Sequence, residues 1–205
     1  MNPRFGRVIT AMITPFNSDG SLDVQGACDL AQWLAEQGNN ALVLAGTTGE
    51  SPTITQDEQI QLVEAVVQAV DIPVIAGAGS NDTRSAITNT QRCEQAGAKG
   101  ILSVTPYYNR PSQAGLYEHY LRISDCTELP IMLYDIPIRT GRKLESETML
   151  RLAEETENIV SDLIKNNNIE NIKDMGKLMG LIKKDYAGEV DMGLVGKIAK
   201  SKLDN

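Results

Sequence analysis

Apolar positions in this chain come in short runs separated by longer amphipathic stretches. Residues 8–14 read as a buried strand that stops at Pro15. Leu22, Leu30, Trp33 and Leu34 fall on one face of a helix over residues 23–36, with Gly38 as its stop. The pairing then repeats. Strand 41–45 precedes helix 55–70, and strand 73–77 precedes a helix from Asp82 to near Gly97. Strand 100–105 precedes helix 112–125, and strand 130–134 precedes a helix from Glu145 to about Glu155. Asn158-Ile-Val160 is expected to open a sixth strand. Strands alternating with helices at a repeat of about 30 residues predict βα units on a parallel sheet.

The turns after these strands carry the chemistry. Ala41 to Ala45 stops at Gly46, and Thr47, Thr48, Gly49, Glu50 and Ser51 follow before Pro52. The Thr55-x-x-Glu58 spacing is a capping box that opens the next helix. Thr47, Thr48, Tyr107, Tyr108, Tyr134 and Arg139 cluster at the carboxyl ends of three different strands. A site assembled from many loops at the carboxyl ends of strands suits a (β/α)8 barrel. A dinucleotide fold is disfavoured, because no G-x-G-x-x-G follows the first strand. Thr47, Tyr108 and Tyr134 could pass a proton if each link lies at hydrogen-bond distance, and Arg139 could grip a carboxylate in a bidentate fork. A tyrosine at a strand end is more often core with its hydroxyl satisfied, an arginine after a turn is more often solvated, and His119 reads as a helix-surface residue without a catalytic role.

Composition narrows the class. The chain is 41% hydrophobic but has no apolar run long enough for a transmembrane helix, and its first residues lead into no signal-peptide core. Three scattered cysteines, Cys28, Cys93 and Cys126, suggest reduced thiols in a cytoplasmic protein. One histidine and no close cysteine pair argue against a metal centre, and a net charge of −8 argues against general nucleic-acid binding.

Three runs carry a resemblance: Gly46-Thr-Thr-Gly-Glu-Ser51, Val104-Thr-Pro-Tyr-Tyr-Asn-Arg-Pro-Ser-Gln113 and Leu133-Tyr-Asp-Ile-Pro-Ile-Arg-Thr-Gly141. With them, residues 6–160 resemble the N-terminal part of the dihydrodipicolinate synthases, pyruvate-dependent aldolases that open lysine biosynthesis. The resemblance implies an α/β fold of TIM-barrel type, truncated to about five and a half βα units, with a short helical tail. It also implies condensation of pyruvate with L-aspartate 4-semialdehyde through a lysine Schiff base, without a cofactor. Thr48 would hold pyruvate's carboxylate, and Thr47, Tyr108 and Tyr134 would relay protons, with Tyr134 the general acid/base. Arg139 would meet the semialdehyde's carboxylate, and Tyr108 would reach a neighbouring subunit in a homo-oligomer, typically a tetramer. An aldolase of the same superfamily acting on another aldehyde, N-acetylneuraminate lyase-like, is the alternative.

The family's sixth strand runs Asn-Ile-Val-Gly-Ile-Lys, whereas this chain has Asn158-Ile-Val-Ser-Asp-Leu163. Leu163 therefore stands where the nucleophilic lysine would, and Lys165 is the nearest amine. On a strand, a two-residue shift keeps the face but moves the amine by roughly 6–7 Å. Little or no synthase activity is expected. Composition also shifts near residue 160. Residues 161–205 hold eight lysines against seven acidic groups, while residues 1–160 hold eleven basic against twenty acidic ones. Ile172, Met175, Met179 and Ile182 form one helical stripe, and Leu194, Val195, Ile198 and Leu203 another, with a turn at residues 188–191. Two segments, 1–160 and 161–205, are expected. The second is similar to the helical tail of the tRNA-dependent amidotransferase B subunit, a resemblance that implies tRNA as an alternative partner.

Overall fold

The computed structural model describes residues 4–167, 169, 171–185 and 192–203. Five parallel strands lie side by side in chain order: β1 (Ile9–Ala11), β2 (Ala41–Leu44), β3 (Val74–Gly77), β4 (Gly100–Val104) and β5 (Ile131–Tyr134). Between them run α1 (Val24–Glu36), α2 (Gln56–Ala69), α3 (Thr83–Gln95) and α4 (Gln113–Ser124). The strand after each helix lies parallel to the one before it, so every helix crosses back over the same face. The result is a parallel half-barrel. Its helices start where side chains can satisfy the first free amides. Asp23, Asp82 and Ser112 each accept from a backbone N–H of the first turn, and Thr55 with Glu58 forms a reciprocal capping box.

The main core fills the space between sheet and helices. Leu42, Leu44 and Ala76 meet Ala27, Ala31, Leu62, Val63 and Val66 there. The alternate side chains, those of Ala41, Val43 and Ile75 with Ile9 and Leu102, line the inner wall. A third cluster binds α4 to the next helix through Leu116, Ile123, Leu144 and Leu152.

The expected sixth strand is absent. After β5 comes the short α5 (Pro137–Thr140), and α6 (Ser146–Asn166) then runs unbroken through residues 158–163. No proline or glycine interrupts residues 146–166, and Leu, Glu and Lys there favour helix. Its packing decides the matter. Thr148 and Leu152 turn toward α4, whereas Val160, Leu163 and Ile164 meet the tail. Gln113 fastens its start, accepting from Glu145 N and Thr148 Oγ1, and Arg151 lies 4.4 Å over the Tyr117 ring of α4. The composition boundary at residue 160 thus falls inside one helix. α7 (Met175–Asp185) and α8 (Met192–Leu203) follow, and Leu178, Ile182, Val195 and Ala199 close a small core against α6. The turn read at residues 188–191 lies outside the described residues.

Two smaller readings also change. Regular pairing of β1 ends at Ala11, because the chain turns off to let the Thr14 hydroxyl donate to Gly49 O at 2.6 Å. His119 is not on the surface: it is 4% exposed, between α3 and α4.

Candidate active site

The carboxyl end of the sheet is built from constrained turns. Ala45, the first residue after β2, is buried and holds φ at 51°, the left-handed region that side chains avoid. The backbone then curls back, Ser51 N–H donating to Gly46 O and Glu50 N–H to Thr47 O. This turn presents Thr47 outward. From β5, the Tyr134 hydroxyl comes within 3.3 Å of Thr47 Oγ1, and either can donate. β3 passes close behind. A Cβ on Gly77 would lie 2.3 Å from Ala45 O, so only glycine fits. Gln59, buried on α2, donates to Gly77 O at 2.6 Å and holds that strand end in place.

These turns surround a cleft of about 400 Å³, a size suited to a small ligand. Thr47, Glu50, Tyr107, Tyr134, Ile136 and Arg139 supply its distinctive side chains. Arg139 is exposed on α5 and brings a guanidinium to the wall, while the Arg110 guanidinium lies over Gly141 nearby. Thr47, Tyr134 and Arg139 are therefore brought together. Thr48 is exposed and does not line the cleft. Tyr108 is 91% exposed, with a left-handed φ of 71°, and does not line the cleft. Lys165 is exposed in the last turn of α6, and Leu163 is buried among the tail helices; neither reaches the cleft. The lining contains no lysine.

A polar network supports Tyr134 from behind. Thr105 Oγ1 lies 3.0 Å from the Tyr120 hydroxyl and 3.5 Å from Asp135 Oδ1, which accepts from Leu144 N–H at 3.0 Å. Burial pushes the Tyr120 phenol up to about 12, outweighing the Thr105 hydrogen bond, so it stays protonated. His119 Nδ1 pairs with Thr83 Oγ1 at 2.9 Å, and Nε2 has no partner. Burial holds this imidazole down at about 4 against the opposing charge of Asp82, which keeps it neutral. Among the described residues no His, Cys, Asp and Glu cluster could hold a metal ion, and no helix is long and apolar enough to cross a membrane.

A parallel half-barrel with a hydroxyl–phenol pair and an arginine at its carboxyl end can be set against known proteins. The profile of the dihydrodipicolinate synthetase family matches residues 4–190. The chain belongs to that family. Its match runs past residue 160, where the resemblance read from the sequence ends. The 4-hydroxy-tetrahydrodipicolinate synthase of Acidothermus cellulolyticus is 58% identical over 152 residues, covering 73% of this chain and 49% of that protein. That of Synechococcus elongatus is 48% identical over 193 residues, covering 93% and 64%. The crystal structure of a dihydrodipicolinate synthase from Bacillus anthracis superposes with a TM-score of 0.72 at 43% identity, covering 75% of this chain and 53% of that one. The Acinetobacter baumannii synthase, solved as a chloride-inhibited complex with pyruvate, gives a TM-score of 0.70 at 33% identity, covering 96% and 79%. The chain spans about half to two thirds of the length of the curated relatives it matches.

Sequence reasoning missed several parts of this family member's site. Glu50 lines the cleft, Ala45 carries backbone strain, and Gln59 holds Gly77. The signal for the last was present in Ala76-Gly-Ala-Gly79, since paired glycines at a strand end mark close backbone approach. For Ala45 the sequence offers no such signal.

Proposed function

We propose that this chain is the substrate-gripping half of a 4-hydroxy-tetrahydrodipicolinate synthase, which condenses pyruvate with L-aspartate 4-semialdehyde. The observation that carries this reading is the Thr47 Oγ1···Tyr134 OH approach of 3.3 Å inside a cleft walled by Arg139. In this reading Tyr134 gives and takes the proton at the reacting carbon, and Thr47 passes it on. Arg139 binds the semialdehyde's carboxylate, and Thr48, in the exposed turn that follows Thr47, binds that of pyruvate. Tyr108, swung outward, serves a neighbouring subunit's relay in a homo-oligomer.

What the cleft lacks is an amine to attack the carbonyl of pyruvate. Lys165 sits on a helix away from it, so the isolated chain binds pyruvate without forming a Schiff base. Two measurements test this. Ligand-observed NMR should detect pyruvate binding that weakens at least about tenfold in Thr48→Val, which loses a hydrogen bond to a carboxylate, and about fivefold in Tyr134→Phe, which loses a neutral one. No signal from the folded chain would reject the reading. Borohydride reduction with pyruvate, followed by mass mapping, should leave every lysine unmodified. An adduct at Lys165 would show that the chain carries its own nucleophile and overturn the second half of the proposal.

A further inference from the structure

The cleft holds one acid and one base. Among the described residues that line it, only Glu50 and Arg139 carry a charge at neutral pH. They come from different elements. Glu50 lies in the turn after β2, shortly past Thr47, and Arg139 lies on α5, shortly past Tyr134. In the sheet β3 and β4 separate β2 from β5, yet Thr47 Oγ1 and the Tyr134 hydroxyl come within 3.3 Å. The two charges therefore flank that pair, Glu50 from the β2 side and Arg139 from the β5 side.

Neither charge is matched within the chain. The Glu50 backbone is held on both sides: its N–H donates to Thr47 O, and its O accepts from Thr53 N–H at 2.8 Å and from Thr53 Oγ1 at 2.9 Å. Its carboxylate has no hydrogen-bond or ion-pair partner among the described residues, and the Arg139 guanidinium has none either. Glu50 also sits at φ 52° and ψ 41°, a left-handed conformation that glycine adopts without strain. A charged side chain on a strained turn, fixed by its backbone and unpaired in a cleft, points to a ligand group that it meets there.

A ligand that satisfies both side chains carries a cation and an anion close together. Charge-assisted hydrogen bonds span about 2.7–2.9 Å, so such a ligand enters only between side chains that are not already joined to each other. We infer that Glu50 sets specificity by accepting from the α-ammonium of an α-amino-acid aldehyde while Arg139 grips the α-carboxylate. The inference rests on the proposed function, in which the aldehyde is L-aspartate 4-semialdehyde, and adds the group that recognises its amine. With the zwitterionic carbon held between Glu50 and Arg139, the aldehyde end is left to the Thr47–Tyr134 side. An uncharged aldehyde would use neither charge. A simple oxo acid would use Arg139 alone and meet Glu50 as a like charge, so the same carboxylate also rejects the wrong ligand.

The test compares two aldehydes of one length on the full chain by ligand-observed NMR: L-aspartate 4-semialdehyde, and 4-oxobutanoate, which lacks only the amine. The parent chain should bind the amino-aldehyde up to about fivefold tighter, as an exposed ion pair supports. Glu50→Gln should bring the two affinities to within about twofold of each other, because the ammonium loses its partner and the oxo acid its repulsion. Arg139→Gln should weaken both ligands to a similar extent and keep their ratio, since the two side chains do not touch. A melting temperature near the parent's, expected because both side chains are exposed, shows that each variant is folded. Equal affinity for the two aldehydes in the parent chain, or a preference that survives Glu50→Gln, would overturn the inference. The proposed function would stand in that case if Arg139→Gln still weakened both. Binding of neither aldehyde by the folded chain would overturn the inference and the role given to Arg139 together.

Discussion

The two ends of the sheet make the same backbone demand and meet it with different residues. Where helices return to strands, Gly38 follows α1 with φ of 90° and Gly97 follows α3 with φ of 95°. At the cleft end, Gly20 and Gly141 also take positive φ, but Ala45, Glu50, Tyr108 and Arg110 join them with left-handed φ values of 51°, 52°, 71° and 45°. Among the described residues these four are the only non-glycines in that region of backbone space. Each costs about 1–2 kcal/mol that glycine would avoid. At the helix-to-strand turns nothing needs a side chain, so glycine is used and the cost vanishes. At the cleft, side chains must project, and Glu50 lines the wall while the Arg110 guanidinium covers the β5 turn. Strain has accumulated at the candidate site, held by the surrounding packing.

The largest expected effect comes from breaking the contact that holds the strained end. Gly77→Ala drives a methyl into Ala45 O, and should cost at least about 3 kcal/mol in urea unfolding, with loss of pyruvate binding. A cost under about 1 kcal/mol would mean that the two strand ends move apart freely.

Behind the cleft, the chain's one histidine supplies the next effect. His119 sits at about 4 in the fold against an ordinary 6.5. The unfolded chain therefore takes up a proton first as pH falls. The stability from this neutral imidazole is complete above pH 6.5 and is lost from there down to 4, by up to about 3 kcal/mol. Unfolding midpoints across that window should fall less steeply in His119→Gln than in the parent protein.

Two glycine–alanine exchanges then test the comparison with opposite signs. Gly38→Ala meets no atom within 4 Å, so its cost is purely backbone, about 1–2 kcal/mol. Ala45→Gly relieves strain but frees the unfolded chain, and should stabilise by about 0.5 kcal/mol. Were Ala45→Gly to destabilise as much as Gly38→Ala, the left-handed turn after β2 would not be strained, and the contrast between the two ends would fail.

Much of this was legible before any coordinates. The alternation of strand and helix, the Asp82 and Thr55 caps and the turn at Gly46 are local, because each depends on residues within a few positions. Thr47, Tyr134 and Arg139 could be read as neighbours because parallel strands deliver their carboxyl ends to one side. Local reasoning failed where partners lie far apart. Asn158-Ile-Val160 has strand-forming residues, yet Val160 and Leu163 find their apolar neighbours on α7 and α8, and that packing keeps them helical. His119 stands in a polar-looking helix, and only its contact with Thr83, 36 residues away, shows that it is buried.

The sequence by itself determined the order of elements through β5, the helix starts and the loops that line the cleft, since propensity, capping and hydrophobic period act over one or two turns. The tertiary structure alone decided three things. It made α6 a single helix, set Ala45 in a conformation its residue type disfavours, and, among the described residues, paired β1 with β2 alone and β5 with β4 alone. Each is settled by what packs against the segment from elsewhere in the fold, or by what does not.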